Sequence, residues 1–246
     1  MKEENINYLK ASLEELKITF NEEKIAIILD FYNDLIEFNS HTNLTRIIDE
    51  KDFIDKHLID SLSIANFIGK KSSSIIDIGT GAGFPLMPLL IFYPEIKATF
   101  VDSVNKKLDF SRNFIKKLNE KYNFNTKNIS VIHSRAEDLA KSTAFREKFD
   151  IVISRGVSKF VSLTELNMPF IKKHGLFLAM KLDEVETELE EASKIIELTG
   201  GKILKVEKFA LPQTELKRSL TIIEKIKTTP KDFPRKAGLA QKEPII

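Results

Sequence analysis

Three glycines stand at alternate positions behind a β-branched run. Ile75, Ile76 and Ile78 precede Gly79, Gly81 and Gly83 in the stretch IIDIGTGAGFPLMPLL, residues 75–90. Bounded by serines 72–74 on one side and Gly79 on the other, the run reads as a buried parallel strand. The glycines let the backbone turn sharply and approach a ligand with no Cβ in the way. Pro85 suits the first turn of a helix, and Leu86, Met87, Leu89 and Leu90 give that helix an apolar face. Strand, glycine loop and helix N-terminus form the nucleotide-binding turn of a doubly wound α/β domain.

The glycine spacing separates the ligands such a turn can hold. A dinucleotide turn reads GxGxxG and seats a pyrophosphate on the helix N-terminus. Here the spacing is GxGxG, and Asp77 lies two residues ahead of the first glycine. A carboxylate there repels a phosphate but suits a cation, and S-adenosylmethionine carries a sulfonium and an amino group. Gly79 and Gly81 are therefore expected to bring backbone against the methionine part of that cofactor. Asp102 closes a second strand-like run, Ala98-Thr99-Phe100-Val101. An acid at that place can accept from both ribose hydroxyls.

The elements that must position these residues alternate. Strands are expected at 75–78, 98–102, 129–132, 151–153 and 176–180, with helices at about 85–93, from about 105, from 135, around 161–171 and at 184–198. Such alternation implies right-handed βαβ units and a parallel sheet covered on both faces. Two last strands, 203–209 and 220–226, have only a Pro212 loop between them, so they should pair as an antiparallel hairpin. Residues 1–70 show no β signal. Ile25, Ile28, Leu29, Tyr32, Leu35 and Ile36 make one apolar stripe behind a cap region at Asn21. Residues 39–43 should break that helix, and Asp49 or Asp52 should open the next, with Ile54, Leu58, Leu62, Ala65 and Ile68 inward. The expected fold is α/β, a seven-stranded, mostly parallel sheet with an antiparallel last hairpin. Residues 1–70 form a helical cap on a cofactor-binding core, 71–227, and 228–246 form a basic tail.

Composition bounds the function. The 246 residues contain no cysteine, which excludes disulfides and thiolate ligands. Four histidines without HxxxH spacing argue against zinc. No apolar run is long enough for a bilayer, and the N-terminus lacks the apolar core of a secretory signal. A cytoplasmic protein is expected, with no membrane and no metal. The net charge of +2 conceals an asymmetry. Residues 1–60 hold seven Lys/Arg against fourteen Asp/Glu, near −7; residues 217–246 hold eight against three, near +5. A basic end suggests a polyanionic partner. Lys217, Arg218, Arg235 and Lys236 are the cations expected to neutralise phosphates there.

Ligands of doubly wound sheets sit outside the carboxyl ends of the strands. Those ends carry Asp77, Gly79 and Phe84, then Asp102 and Ser103, then Arg135, Ala136 and Glu137, then Ser154 and Arg155, and finally Lys181. His57 and His133 are read as structural. With no GxSxG elbow, no metal cluster and no isolated carboxylate pair, the inventory supplies no nucleophile. It suits methyl transfer from a sulfonium, where the protein mainly aligns donor and acceptor. No residue is assigned as catalytic.

GTGAGFPLMPL, with HLIDSL before it, VDSVNKKLDF and SRAEDL after it, then DIVISR and the tail FPRKAGLAQKEPI, resembles the bacterial RsmG/GidB family over residues 43–244. That resemblance implies a Rossmann-like class I S-adenosylmethionine-dependent methyltransferase making N7-methylguanine in 16S ribosomal RNA. It implies cofactor contacts at Gly79, Phe84, Ala136, Glu137 and Arg155, with Asp102 on the ribose. It also places Arg135, Lys181 and Arg218 near the RNA. The chain departs from the family pattern at Leu86, Gly156 and Leu182, where the family usually has glycine, alanine and glycine. Amine methyltransferases resemble one another in an [ND]PP[YF] motif after the fourth strand, and here that place reads ISRG. Guanine N7 offers a free lone pair and needs no amine clamp. It lies on the major-groove edge, closed to protein in A-form RNA, so the target must sit in a loop or be splayed out. The partner expected is 16S rRNA, free or within the small subunit, and the protein is expected to be a monomer. A nicotinamide-dependent oxidoreductase and a non-catalytic RNA-binding module on the same fold are the competing readings.

Overall fold

The computed structural model describes residues 1–68, 73–156 and 158–246. The boundary expected between 70 and 71 lies outside the described residues. Two amphipathic helices come first, α1 (Glu3–Glu15) and α2 (Glu22–Thr42). Asn21 caps α2, its side chain accepting from the Lys24 amide at 2.9 Å. The helix does not break at 39–41. It continues to Thr42 and stops where Asn43 turns left-handed at φ 52°, because Asn39, Ser40 and His41 still satisfy helical bonds and only Asn43 tolerates that turn. Asp49 opens α3 (Glu50–Phe53), accepting from the Lys51 and Asp52 amides. The chain runs on through a π-helical stretch, Ile54–Ile59, into α4 (Asp60–Leu62).

β1 (Ser74–Ile78), α5 (Leu86–Phe92), β2 (Lys97–Asp102), α6 (Asn105–Tyr122), β3 (Ile129–His133), α7 (Ala136–Leu139), β4 (Phe149–Arg155) and α8 (Phe160–Asn167) follow in the expected alternation. Then come β5 (Ile171–Leu182), α9 (Glu186–Leu198), β6 (Gly201–Ala210), β7 (Lys217–Lys225) and a short α10 (Leu239–Lys242). The sheet order is β3-β2-β1-β4-β5-β7-β6. The first five strands pair in parallel, and β7 pairs antiparallel with both β5 and β6. β5 is longer than the 176–180 expected. Ile171 already pairs with Phe149, and the register slips before Ile151 pairs with Leu176. His174 sits left-handed in that slip, at φ 65°. Polar residues 172–174 mask this edge from a hydrophobicity pattern.

One apolar core joins the N-terminal helices to a face of the sheet. Phe31 of α2 is its hub, with ring centroids 4.8 Å from Phe114, 5.4 Å from Phe110 and 5.4 Å from Phe84 of the glycine loop. Lys117 and Lys121 of α6 pair with Asp34 and Asp30 of α2. Part of the acidic charge of the first sixty residues is therefore met inside the molecule.

Candidate active site

The glycine loop leaves β1 over the end of β2. The Gly79 and Thr80 amides both donate to the Val101 carbonyl, at 2.8 and 3.0 Å. Gly79 and Gly81 are left-handed at φ 80° and 58°, and a Cβ on either would enter open space. The loop is thus a cradle that only backbone fills. Gly83 does something else, since a Cβ there would press on Met87 at 3.2 Å. Asp102, at the end of β2, fixes the loop from below. Its Oδ2 accepts from the Gly81 amide at 2.9 Å and its Oδ1 from the Val104 amide at 2.8 Å. A carboxylate has about four lone-pair sites, so acceptor capacity remains.

Two openings meet at this loop. A cavity of about 220 Å³ runs past Gly79, Asp102, Ser103, Arg135, Ala136 and Glu137, bringing together expected cofactor residues from three strand ends. A smaller one, about 170 Å³, lies on the other side of Gly79 and Gly81 and is lined by Thr45, His57, Phe84 and Arg155. His57 and Arg155 also line a third cavity of about 410 Å³, with Asp60, Met180, Lys181 and Arg218.

Beneath the loop Asp77 is fully enclosed in the sheet; the Thr80 hydroxyl and the Leu86 amide stand nearest its carboxyl oxygens, but neither reaches them in good hydrogen-bonding geometry and no cation pairs with them. Burial pushes its carboxyl up to about 7, with Thr80 and Arg155 opposing the rise and Asp102 adding to it. A buried acid left without a donor is costly unless something completes it. A cationic amino group in the cradle would do so. The loop, the orphaned Asp77 and the Asp102 end of the 220 Å³ cavity together fit S-adenosylmethionine.

Arg155 binds the cap to the core. Its Nη1 donates to the Lys56 carbonyl at 2.9 Å and to Asp60 Oδ2 at 3.2 Å. Its Nη2 donates to His57 Nδ1 at 3.1 Å. Its guanidinium also lies 5.3 Å over the Phe84 ring. With Nδ1 accepting, His57 carries its proton on Nε2 and donates to Thr45 Oγ1 at 2.8 Å. Burial first, then Arg155, lowers this imidazole to about 3, so it is neutral at physiological pH. His57, read from the sequence as structural, therefore makes two hydrogen bonds and a ring stack at the cavity mouth. Asp60, which carried no expectation, is buried and joins Arg155 to Arg218, whose Nε donates to Asp60 Oδ1 at 3.0 Å. The HLIDSL run was the available signal for both.

The basic residues expected on the RNA side divide. Arg135 and Lys236 are exposed. Arg218 lines the third cavity but is tied to Asp60. Lys181 is turned inward, its Nζ donating to the Ser158 carbonyl at 2.9 Å and pairing with Glu188 at 2.8 Å. Arg235 departs furthest from expectation. Its guanidinium grips the fully buried Glu165 through Nε and Nη2, because a carboxylate enclosed in α8 must find a cation. A phosphate would have to displace that carboxylate. Nor does the tail pack on the acidic N-terminal helices. It packs on α7 and α8, through Gly238 to Glu137 and Ala240 to Ser162. Among the described residues no cluster of His, Asp or Glu could hold a metal, and no helix is long and apolar enough to cross a membrane.

A glycine-loop cradle over an orphaned acid, on a sheet of order 3-2-1-4-5-7-6, defines a class I S-adenosylmethionine-dependent methyltransferase. Solved structures share that fold. TYW2 from M. jannaschii, crystallised with AdoMet, matches over 69% of this chain and 76% of its own at TM-score 0.53 and 17% identity. A 16S rRNA (adenine(1408)-N(1))-methyltransferase from Catenulisporales acidiphilia matches over 70% and 93% at TM-score 0.51 and 12% identity. The family profile described as rRNA small subunit methyltransferase G (GidB) matches residues 24–219. Ribosomal RNA small subunit methyltransferase G of Lachnoclostridium phytofermentans is 43% identical over 95% of both chains. The enzyme of that name from Desulforamulus reducens is 42% identical over 96% of this chain and 97% of its own. The chain belongs to this family.

Proposed function

We propose that the protein transfers a methyl group from S-adenosylmethionine to N7 of a guanine in 16S ribosomal RNA, acting as a monomer in the cytoplasm. The observation that carries this reading is the meeting of the cofactor cradle and a second, arginine-lined cavity at His57 and Arg155. Family membership supports it independently. A nicotinamide cofactor is disfavoured by Asp77, which sets a buried acid where a pyrophosphate would need positive field.

S-adenosylmethionine supplies, when bound, a methyl group already activated by its sulfonium. Gly79 and Gly81 would hold its methionine part, with Asp77 facing the amino group. Asp102 would accept from the ribose, and Ala136 and Glu137 would flank the adenine. Phe84 and Arg155 would stand between that cofactor and the target base. The chain's own groups then have little proton chemistry to do. His57 has both ring nitrogens engaged and is neutral, so it serves neither as acid nor as free base. That suits N7, which attacks through a lone pair and loses no proton. Methylation leaves the guanine cationic, and Arg155 and Arg218, which share one aspartate, would face it across the second cavity. Electrostatics at this mouth therefore favour release of the product.

The test is to map N7-methylguanine by reduction and strand scission in 16S rRNA from cells with and without the gene, and then to restore it in vitro with the purified protein. One position should lose modification and regain it. An unchanged map would sink the reading.

A further inference from the structure

We infer that the C-terminal segment 229–243 is part of the cofactor site: a strap that forms the outer wall of the adenosine end of the cavity, with Arg235 as its positioning residue. The inference rests on reading that cavity as the S-adenosylmethionine site. Gly238, Ala240 and Gln241 line the same cavity as Asp102, Ser103 and Glu137, so the tail closes a space that the strand ends leave open.

Groups on the core pin the strap along its length. Arg146 donates to the Thr229, Pro230 and Phe233 carbonyls at 3.0, 2.9 and 2.8 Å. Glu165 accepts from the Arg235 amide at 2.9 Å as well as from its side chain, at 3.0 and 2.8 Å. The same Nη2 that binds Glu165 also donates to the Glu243 carbonyl at 2.8 Å, closing the strap on itself. Glu137 Oε1 accepts from the Gly238 amide at 2.9 Å, and Ser162 Oγ donates to the Ala240 carbonyl at 2.7 Å. Two of these anchors, Glu137 and Glu165, are buried carboxylates on the helices that flank the cavity. A planar fork held bidentately fixes direction as well as distance, so Arg235 sets where residues 238–241 lie. A basic arm meant for RNA would keep such a cation in solvent. Here Lys236 and Lys242 of the same motif are exposed and Arg235 is not. The charge of the tail motif is thus divided, one cation turned inward to shape the cofactor wall and two left outside.

The experiment titrates the full-length protein with S-adenosylhomocysteine, with 5′-methylthioadenosine, which keeps the adenosine and lacks the amino acid, and with a small-subunit RNA fragment. Arg235→Ala should weaken both nucleosides by about tenfold or more and leave RNA affinity within about twofold. Arg235→Lys, with charge but no fork, should recover only part of the loss. Gly79→Val should instead weaken the homocysteine compound more than methylthioadenosine. Because Arg235→Ala could unfold the chain, Gln241→Trp provides a second reading. Gln241 is exposed and touches none of the clamps, so this variant should keep its melting temperature and lose methylthioadenosine affinity. Nucleoside affinities unchanged in both folded variants, or a loss confined to RNA, would overturn the inference. Failure of the wild-type protein to bind either nucleoside would instead overturn the cofactor reading on which it stands.

Discussion

His57 lies flat on Phe84, ring centroids 4.3 Å apart and planes 8° from parallel. The stack brings a residue of the π-helical stretch onto the tip of the cofactor loop. Arg155 donates to one partner and covers the other. The N-terminal helices thereby set the position of Phe84, and Phe31 presses on it from behind at 5.4 Å.

The neutrality of His57 has a consequence for stability. Its folded value is about 3 against 6.5 for a free imidazole. Below about pH 6.5 the unfolded chain takes up a proton that the native protein refuses, so stability is full above that pH and is lost on acidification. The loss should approach about 1.4 kcal/mol per pH unit. Urea unfolding of the wild type and His57→Gln at about pH 7, 6 and 5 checks this. The variant should show a flatter acid dependence, and equal slopes would mean that His57 is charged in the native protein.

Asp77 behaves in the opposite sense. Its folded value of about 7 stands above the free value of 3.8. Between those limits the native protein binds the extra proton, so the cofactor-free protein loses this contribution as pH rises towards 7. A cationic amino group needs the carboxylate. Affinity for S-adenosylmethionine should therefore climb from about pH 5.5 to 7, by up to about tenfold per pH unit. Asp77→Asn should be at least as stable as wild type at pH 8, bind cofactor weakly, and lose the pH dependence. Calorimetric titration in two buffers of different ionisation enthalpy would also register the proton released on binding.

The cofactor loop was legible because its chemistry is local. GxGxG after a β-branched run, with acids at 77 and 102, follows from rules that act within a few residues, and the structure brings Gly79 and Asp102 to one cavity with Gly81 on the next and Asp77 buried beneath the loop. Helix caps at Asn21 and Asp49 were legible for the same reason. Partners far apart in the chain were not. Asp60 meets Arg218 across 158 positions and Glu165 meets Arg235 across 70, and only the fold decides which cation a buried acid recruits. Hence net charge pointed to a basic tail, while the structure divides its cations between the inside and the surface. The early start of β5 was hidden because the exposed Lys172, Lys173 and His174 at its beginning look like loop.

Gly79 offers a direct test of the cradle. At φ 80° any side chain is strained, and a Cβ there enters the space reserved for ligand. Gly79→Val should remain folded, with stability lowered by about 1–3 kcal/mol, and should lose measurable S-adenosylmethionine binding. Asp102→Ala is a less clean probe, because it also frees the Gly81 and Val104 amides. Its loss, about tenfold or more from the ribose bonds alone, should come with a more mobile loop. Amide exchange at Gly81 would show this. A cofactor-bound structure with the ribose turned away from Asp102 would refute that assignment.

The RNA surface should be carried by the cations that the fold leaves outside. Arg135 stands at the rim of the cofactor cavity, Lys217 opens β7, and Lys236 lies on the strap; all three are exposed. Each phosphate neutralised on single-stranded RNA should contribute about −0.7 to the slope of log affinity against log salt, so reversing all three charges should flatten it by about 2. Cofactor affinity should change little when Lys217 and Lys236 alone are reversed, since neither lines the cofactor cavity, whereas Arg135 does. Lys181→Gln makes the contrasting case. Its ammonium pairs with Glu188 at 2.8 Å and is largely enclosed, so its loss should lower the melting temperature and leave the salt slope as it was. Filter binding across about 50–300 mM salt separates the two kinds of lysine. If the triple reversal leaves the slope intact, the phosphates must lie along another face of the molecule. The edge strand β6, which presents Lys202, Lys205 and Lys208 to solvent, would then carry them.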